Sequence, residues 1–389
     1  MTAPKGKIVV FGIAFWYPLA GVTYQFLHYL IGLRRLGYEA YYVEDSGRWV
    51  YDPRINDLSP DASGNVAAVA PVLEAHGFAG RWAFRGDYPG GRTYGLTADE
   101  LLRLYGEADA LLNVTAAQEL RDEHLQIPRR VYVESDPFPA QVLAAGGDAG
   151  TRRTLAAHDA HFSFGENLRN EDCLLPTAGI DWQPTRQPVV TDLWRNGRAS
   201  RDAAYTTIAT WHNKGKDIDW RGRTWHWTKD REFKKHLDLP RRTGVPFELA
   251  LGADTEAERL LSDHGWRRTD SLRVSATPDG YRDYIQSSRG EWTVAREQYT
   301  RPRTGWFSDR SACYLAAGRP VVTEDTGFGK FLPTGEGLME FSTTDEAARA
   351  IERIEADYEH PCRAAEEIAR EYFEAEKVVG SLMERAGLK

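Results

Sequence analysis

Residues Gly305-Trp306-Phe307-Ser308-Asp309-Arg310-Ser311-Ala312-Cys313-Tyr314-Leu315-Ala316-Ala317-Gly318-Arg319-Pro320-Val321-Val322 decide the reading of this chain. Ser308 and Asp309 stand where a helix cap stands, and Gly318 ends the helix before a strand at Pro320–Thr323. Such a helix start offers free N–H groups and a positive dipole end to an anion. The strand runs into Glu324-Asp325-Thr326-Gly327-Phe328-Gly329. This is a glycine-bearing loop at a carboxyl end, where open α/β sheets bind ligands. Ser308, Asp309, Arg310, Ser311, Thr326, Gly327 and Phe328 are therefore candidate contacts to a phosphate-bearing ligand.

The same alternation extends outward. Lys7–Gly12 is an apolar run suited to a strand buried on both faces. A helix follows at Val22–Leu36, closed by Arg34, Arg35 and Gly37, and a second strand at Glu39–Val43. A βαβ unit of this kind implies a doubly wound sheet. Further strands are predicted at Ala110–Val114, Arg130–Val133 and His161–Phe164, with helices at Ala98–Tyr105 and Ala140–Ala145. Gln183–Ala203, with Pro184, Pro188 and Gly197, reads as a linker. A second alternation starts at Tyr205–Thr210 and continues through Phe247–Leu251, short strands at Tyr284–Gln286 and Trp292–Ala295, and helices at Thr344–Asp357 and Arg363–Met383. The fold class is α/β, with two Rossmann-like doubly wound domains.

The 389 residues carry a formal charge of −8, and their ordinary apolar content excludes disordered, collagen-like and coiled-coil classes. Three scattered cysteines exclude a disulfide framework and fit a reducing compartment. No apolar run reaches the roughly 18 residues of a membrane span, so a cytoplasmic location is expected. The acidity argues against nonspecific nucleic-acid binding, but one segment reverses it. Between Trp194 and Arg242 lie 13 Lys and Arg against six Asp and Glu, interleaved with Trp194, Trp211, Trp220, Trp225 and Trp227. The stretch reads as a diphosphate clamp, with Lys214 or Lys229 best placed, as a nucleic-acid track, or as a solvated face over core aromatics.

The pattern helix–Ala-Gly-Arg-Pro-Val-Val–acidic/Thr-Gly, with Gly335-Glu336-Gly337-Leu338 and Asp345-Glu346-Ala347 beyond it, resembles the donor half of GT-B glycosyltransferases. Phe11-Gly12-Ile13 with Pro18-Leu19-Ala20-Gly21-Val22 resembles their acceptor half. The resemblance implies two domains facing across a cleft: an acceptor domain at 1–190, a donor domain at 204–360, and a C-terminal helix at 361–389 that can pack back on the first. It implies transfer of a sugar from a nucleotide diphosphate sugar, with UDP foremost, to a small-molecule, lipid or glycan hydroxyl, without a metal or other cofactor. Retaining members carry a Glu-x7-Glu pair, but here those positions are Gly305 and Cys313, which favours inversion. A phage-type glucosyltransferase acting on a hydroxymethylated DNA base is an alternative. A nucleotide-sugar epimerase and a silent nucleotide-sugar-binding module are others.

Within this frame Arg289, Glu291 and Arg296 are candidate donor contacts, Glu291 for ribose hydroxyls and the arginines for phosphate. The loop residues Phe15, Trp16 and Gly21 are assigned to the acceptor. An inverting mechanism needs a group to take the acceptor proton. Asp136 is the first choice, with Asp45 and His158 behind it, and a turn cap before Pro137 is the competing reading of Asp136.

Overall fold

The computed structural model describes residues 4–86, 92–195, 199–213, 215–252 and 254–388. The first sheet contains β1 (Lys7–Phe11), β2 (Glu39–Glu44), β3 (Trp82–Arg85), β4 (Thr93–Gly95), β5 (Ala110–Val114), β6 (Arg129–Glu134), β7 (Ala160–Ser163) and β8 (Trp182–Pro184). Their spatial order is β8-β7-β6-β5-β1-β2-β3-β4, parallel except for the edge strand β4, which runs antiparallel to β3. The second sheet contains β9 (Tyr205–Ile208), β10 (Phe247–Leu251), β11 (Arg267–Asp270), β12 (Gly290–Thr293), β13 (Val321–Glu324) and β14 (Leu338–Phe341), ordered β11-β10-β9-β12-β13-β14 and parallel throughout. Both orders reverse beside their first strand, between β1 and β5 and between β9 and β12. Those two switch points are where a doubly wound sheet opens a crevice beyond its carboxyl ends.

The strands are apolar because helices cover both faces. Ile8 to Phe11 and Leu249 to Leu251 are fully buried. Helix α1 (Ala20–Arg35) packs on the first sheet through Phe26, Leu27, Leu30 and Leu33. Helix α2 is Pro278–Ser287, α3 is Asp309–Ala316 and α4 is Thr344–Ala356.

Several local expectations are corrected. Tyr284–Gln286 is helical, because Thr277 caps α2 by accepting from the Gly280 N–H and Pro278 begins it. The helix expected at Arg363–Met383 breaks at Phe373, leaving α5 (Glu359–Ile368), a wide turn at Ala369–Phe373, and α6 (Ala375–Arg385). Ser308 occupies the cap position of α3, yet its side chain makes no capping bond. The edge strand Trp182–Pro184 overlaps the start of the stretch read as a linker, and within that stretch Trp194 is fully buried, donating Nε1–H to His28 Nε2 on α1. At α6, Val379 and Ala375 come so close to α1 that a Cβ on Gly32 would lie 3.2 and 3.3 Å from them.

Candidate active site between the two sheets

Two cavities open at the switch points. One, of about 220 Å³, is lined by Leu19, Ile208, Ala209, Thr210, Lys229, Ser271, Leu272, Ser275, Arg296 and Arg310. The other, of about 480 Å³, lies at the carboxyl ends of the first sheet and includes Ile13, Trp16, Tyr17, Arg48, Thr115, Ala116, Ser135, Asp136, Lys216, Trp306 and Asp309. Asp309 and Arg310, consecutive at the start of α3, face one cavity each.

The smaller cavity is cationic. Lys229 is buried and forms no ion pair among the described residues. Burial, followed by the neighbouring Arg310 and Arg296, pushes its ammonium well below the usual range. Arg310 is fixed from three sides: Nε donates to Glu291 at 2.5 Å, NH1 to the Ile208 carbonyl at 2.6 Å, and NH2 to Thr293 Oγ1 at 2.9 Å. Arg296 lies over the Trp227 ring at 3.8 Å, donates to the Tyr299 hydroxyl at 2.9 Å, and keeps its buried Nε without a partner. Three cations and a helix start around one pocket make an anion site with unspent donors.

The larger cavity carries the carboxylates. Asp136 receives a hydrogen bond from the Tyr299 hydroxyl and sits 3.6 Å from Arg296. One Asp309 oxygen is shielded from solvent and lacks a partner; burial and then the Asp136 charge push its pKa up to about 7. Trp306, fixed by donating Nε1–H to the Ser135 carbonyl at 2.9 Å, spans the two halves beside them. Strain gathers here too: Thr115 (φ 67°), Ala116 (φ 51°) and Phe138 (φ 142°) are non-glycine residues in the left-handed region, all just beyond β5 or β6. The loop before α1 is pinned by Glu44, which accepts from the Phe15 and Trp16 N–H groups at 2.6 and 2.9 Å.

Other expected site residues lie elsewhere. Arg289 is at the amino end of β12, away from the crevice, where it pairs with Glu355 at 2.7 Å over the Tyr358 ring. Glu291 is fully buried behind Arg310, so it positions that arginine and does not meet a ribose. Thr326 donates to the Trp306 carbonyl at 2.5 Å, Gly327 turns the loop at φ 91°, and Phe328 packs on Phe307, so none of these three lines either cavity. The Ser308 carbonyl accepts from Gln187 Nε2, and Ser311 is buried with a free hydroxyl. Phe15 is in the core against Tyr42, Trp82 and Phe84. Gly21 faces Tyr281, whose hydroxyl would be 3.1 Å from an added Cβ, so it permits close approach of the halves and touches no acceptor. His158 is buried, with Nδ1 on the Thr154 carbonyl and Nε2 on Asn113. Lys214 lies outside the described residues.

Asp45 is withdrawn from the site by charge pairing. Arg85 and Arg121 pair with it at 2.6 Å and His124 at 3.2 Å. Although burial opposes it, hydrogen bonds from His124 and Arg85 hold its carboxyl well below the usual range. With Glu123 and His124 it is the one group of possible metal ligands among the described residues, but the two guanidiniums already occupy its oxygens. Four of the five tryptophans in the basic stretch, all but Trp220, are buried, so they serve packing and offer no stacking track.

Gly305 has φ 77°, and a Cβ there would lie 2.7 Å from the Asn167 backbone nitrogen. A glutamate does not fit that position without moving the chain. Cys313 is buried. The site residues not foreseen are Tyr299, Trp306, Tyr17, Arg48 and Glu44; the signals available were Trp306 inside the decisive motif and Tyr17 beside Trp16.

The architecture is GT-B. No protein-family profile and no curated protein matches the chain, but solved structures do. An alpha-glucosyltransferase in complex with UDP superposes with a TM-score of 0.60 at 10% identity, over 98% of this chain and 100% of that one. Anabaena HepE, in complex with UDP and glucose, gives 0.55 at 12% identity over 98% and 99%. AviGT4, a glycosyltransferase involved in avilamycin A biosynthesis, gives 0.52 at 11% identity over 98% and 97%. The same alpha-glucosyltransferase also superposes in its complex with UDP-glucose and DNA containing an abasic site, at 0.55 and 10% identity, over 98% and 99%. Among the described residues no helix is long and apolar enough to cross a membrane.

Proposed function

We propose that this protein is a glycosyltransferase that moves a sugar from a nucleoside diphosphate sugar, of the UDP-glucose type, to an acceptor hydroxyl. The observation that carries this is the cluster of Lys229, Arg296 and Arg310 around a crevice at the second sheet's switch point, directly beside a cavity holding Asp136 and Asp309. The diphosphate lies in the cationic pocket and the sugar projects toward the carboxylates. As the bond from the anomeric carbon to the diphosphate oxygen breaks, the electron pair leaves on the diphosphate. Lys229 and Arg310 stabilise that charge. The acceptor oxygen bonds to the anomeric carbon, and its proton passes to Asp136. The three cations supply the neutralisation that a divalent ion would otherwise give, so activity is proposed to survive chelation. The absence of the Glu-x7-Glu pair, whose positions hold Gly305 and Cys313, supports inversion.

UDP and UDP-glucose bound in the matched structures support the donor choice. The test is nucleotide release from UDP-glucose with and without EDTA, against monosaccharide and glycan hydroxyls and against duplex DNA bearing hydroxymethylated bases, with the product's anomeric configuration read by NMR. A two-component product supports transfer. Interconversion of sugar nucleotides indicates an epimerase, nucleotide binding without turnover a silent module, and DNA labelling the phage-type activity.

A further inference from the structure

The larger cavity has a chemistry of its own. At about 480 Å³ it suits a ligand of one or two sugar rings. One wall carries Trp16 and Tyr17, whose ring centroids are 5.0 Å apart at 32°; Tyr51, outside the lining, supports Tyr17 from 5.7 Å. Glu44 holds this wall through the Phe15 and Trp16 amides, and Trp16 Nε1–H is buried without an acceptor. Sugar rings present apolar C–H faces to such a wall.

Two cations also line the cavity. The Arg48 guanidinium lies over the Trp16 ring at 5.0 Å and the Lys216 ammonium over the Trp227 ring at 4.7 Å. Neither has a carboxylate partner within ion-pair distance among the described residues. Of the three carboxylates that line the cavity, Asp136 is held on Tyr299 and Arg296, Asp309 stands at the start of α3, and Glu119 is exposed to solvent without an ion pair to either cation. An aromatic face holds a cation in place without neutralising it, so both cations remain open to a ligand's negative charge.

We infer that the acceptor is a glycoside or short oligosaccharide carrying an anionic group, carboxylate or phosphate, which stacks on Trp16 and Tyr17 and sets its charge on Arg48 and Lys216. This rests on the glycosyltransferase reading and narrows it. A polynucleotide is the poorer fit, because residues 1–190 carry 17 Lys and Arg against 23 Asp and Glu, and a duplex needs a basic surface that persists along many phosphates.

The experiment has two stages. UDP binding by the wild-type chain is measured first by calorimetry; its failure overturns the glycosyltransferase reading, and this inference falls with it. With UDP present, matched ligands are then titrated: a nitrophenyl glucoside, the corresponding glucuronide, the glucoside 6-phosphate, and a hydroxymethylated DNA duplex. At least one of the two anionic glycosides is expected to bind about tenfold or more tightly than the neutral one, as a charge-assisted contact allows, and which of the two it is identifies the anion. Arg48→Gln should abolish the preference and Arg48→Lys should retain much of it. Equal binding of neutral and anionic glycosides, an unchanged preference in Arg48→Gln, no glycoside binding beside intact UDP binding, or tighter binding of the duplex would each overturn the inference.

Discussion

The Tyr299 hydroxyl, carried by the second half just beyond β12, donates its hydrogen to Asp136, carried by the first half just beyond β6. The same hydroxyl accepts from Arg296 of the cationic pocket at 2.9 Å, and its ring lies 4.3 Å from that of Trp306. The group proposed to take the acceptor proton is thereby registered against a group proposed to hold the donor. A bond of this kind fixes the angle of the carboxylate toward the cavity, and orientation is a large share of what a general base contributes.

Replacing Asp136 with Asn keeps the shape of the side chain and removes its basicity. The expected outcome is a fall in turnover of roughly 100-fold or more with the UDP dissociation constant little changed. Steady-state kinetics beside calorimetry check it, and full activity in the mutant would remove Asp136 from the chemistry. Tyr299→Phe keeps the ring and loses the bond, so a smaller loss in kcat is expected.

Lys229 separates binding from stability. Its ammonium is buried without an ion pair, and desolvation already disfavours its charge. Lys229→Met should therefore leave the melting temperature equal to or above that of wild type, while UDP binds about 10- to 100-fold more weakly. A thermal melt and a UDP titration on the same sample decide this. A large loss of stability with normal UDP affinity would make Lys229 a packing residue.

Arg310 should behave in the opposite way. It neutralises the fully buried Glu291, so Arg310→Ala leaves an unpaired buried carboxylate and should cost about 3–5 kcal/mol of stability. The double variant Arg310→Ala/Glu291→Gln should recover most of that stability and still bind UDP poorly. Denaturant melts of the three proteins, with UDP titrations of those that fold, separate the two roles of the guanidinium.

How far the sequence carried this reading follows from what kind of signal each feature leaves. The motif at Gly305–Val322 showed α3 and β13 because a cap position, a glycine stop and a β-branched run are local in the chain. Arg310 and Lys229 were visible for the same reason, as cations in segments that follow strands. Arg289 misled because being near a strand in sequence does not say at which end of the sheet a residue emerges. Glu291 misled for a different reason: it is fully buried within its strand and engaged by Arg310, a contact 19 residues away. Tyr299 is defined by a partner 163 residues distant and left no periodic trace. Gly305 was legible only as a missing glutamate, and its reason, the Asn167 backbone nitrogen 2.7 Å from where a Cβ would sit, belongs to the packing of one half on the other.

Glu134 ends β6 immediately before Ser135 and Asp136 and gives the loop a pH dependence. It is buried and accepts from Gln141 Nε2 and Ser163 Oγ, both at 2.6 Å. Burial dominates these bonds and pushes its pKa up to about 8, from an ordinary 4.5. The unfolded chain loses this proton near its ordinary value while the folded chain keeps it to about pH 8. Between those values the folded state binds more protons, so this group's contribution to stability falls as pH rises and is complete only below pH 4.5. Glu134→Gln is never ionised and keeps an acceptor for Ser163. Its stability relative to wild type should therefore be similar at pH 4.5 and grow steadily toward pH 8, by an amount on the order of a few kcal/mol. Denaturant melts at half-unit pH intervals measure the difference directly, and a gap that stays constant with pH would show that Glu134 is ionised in the folded protein.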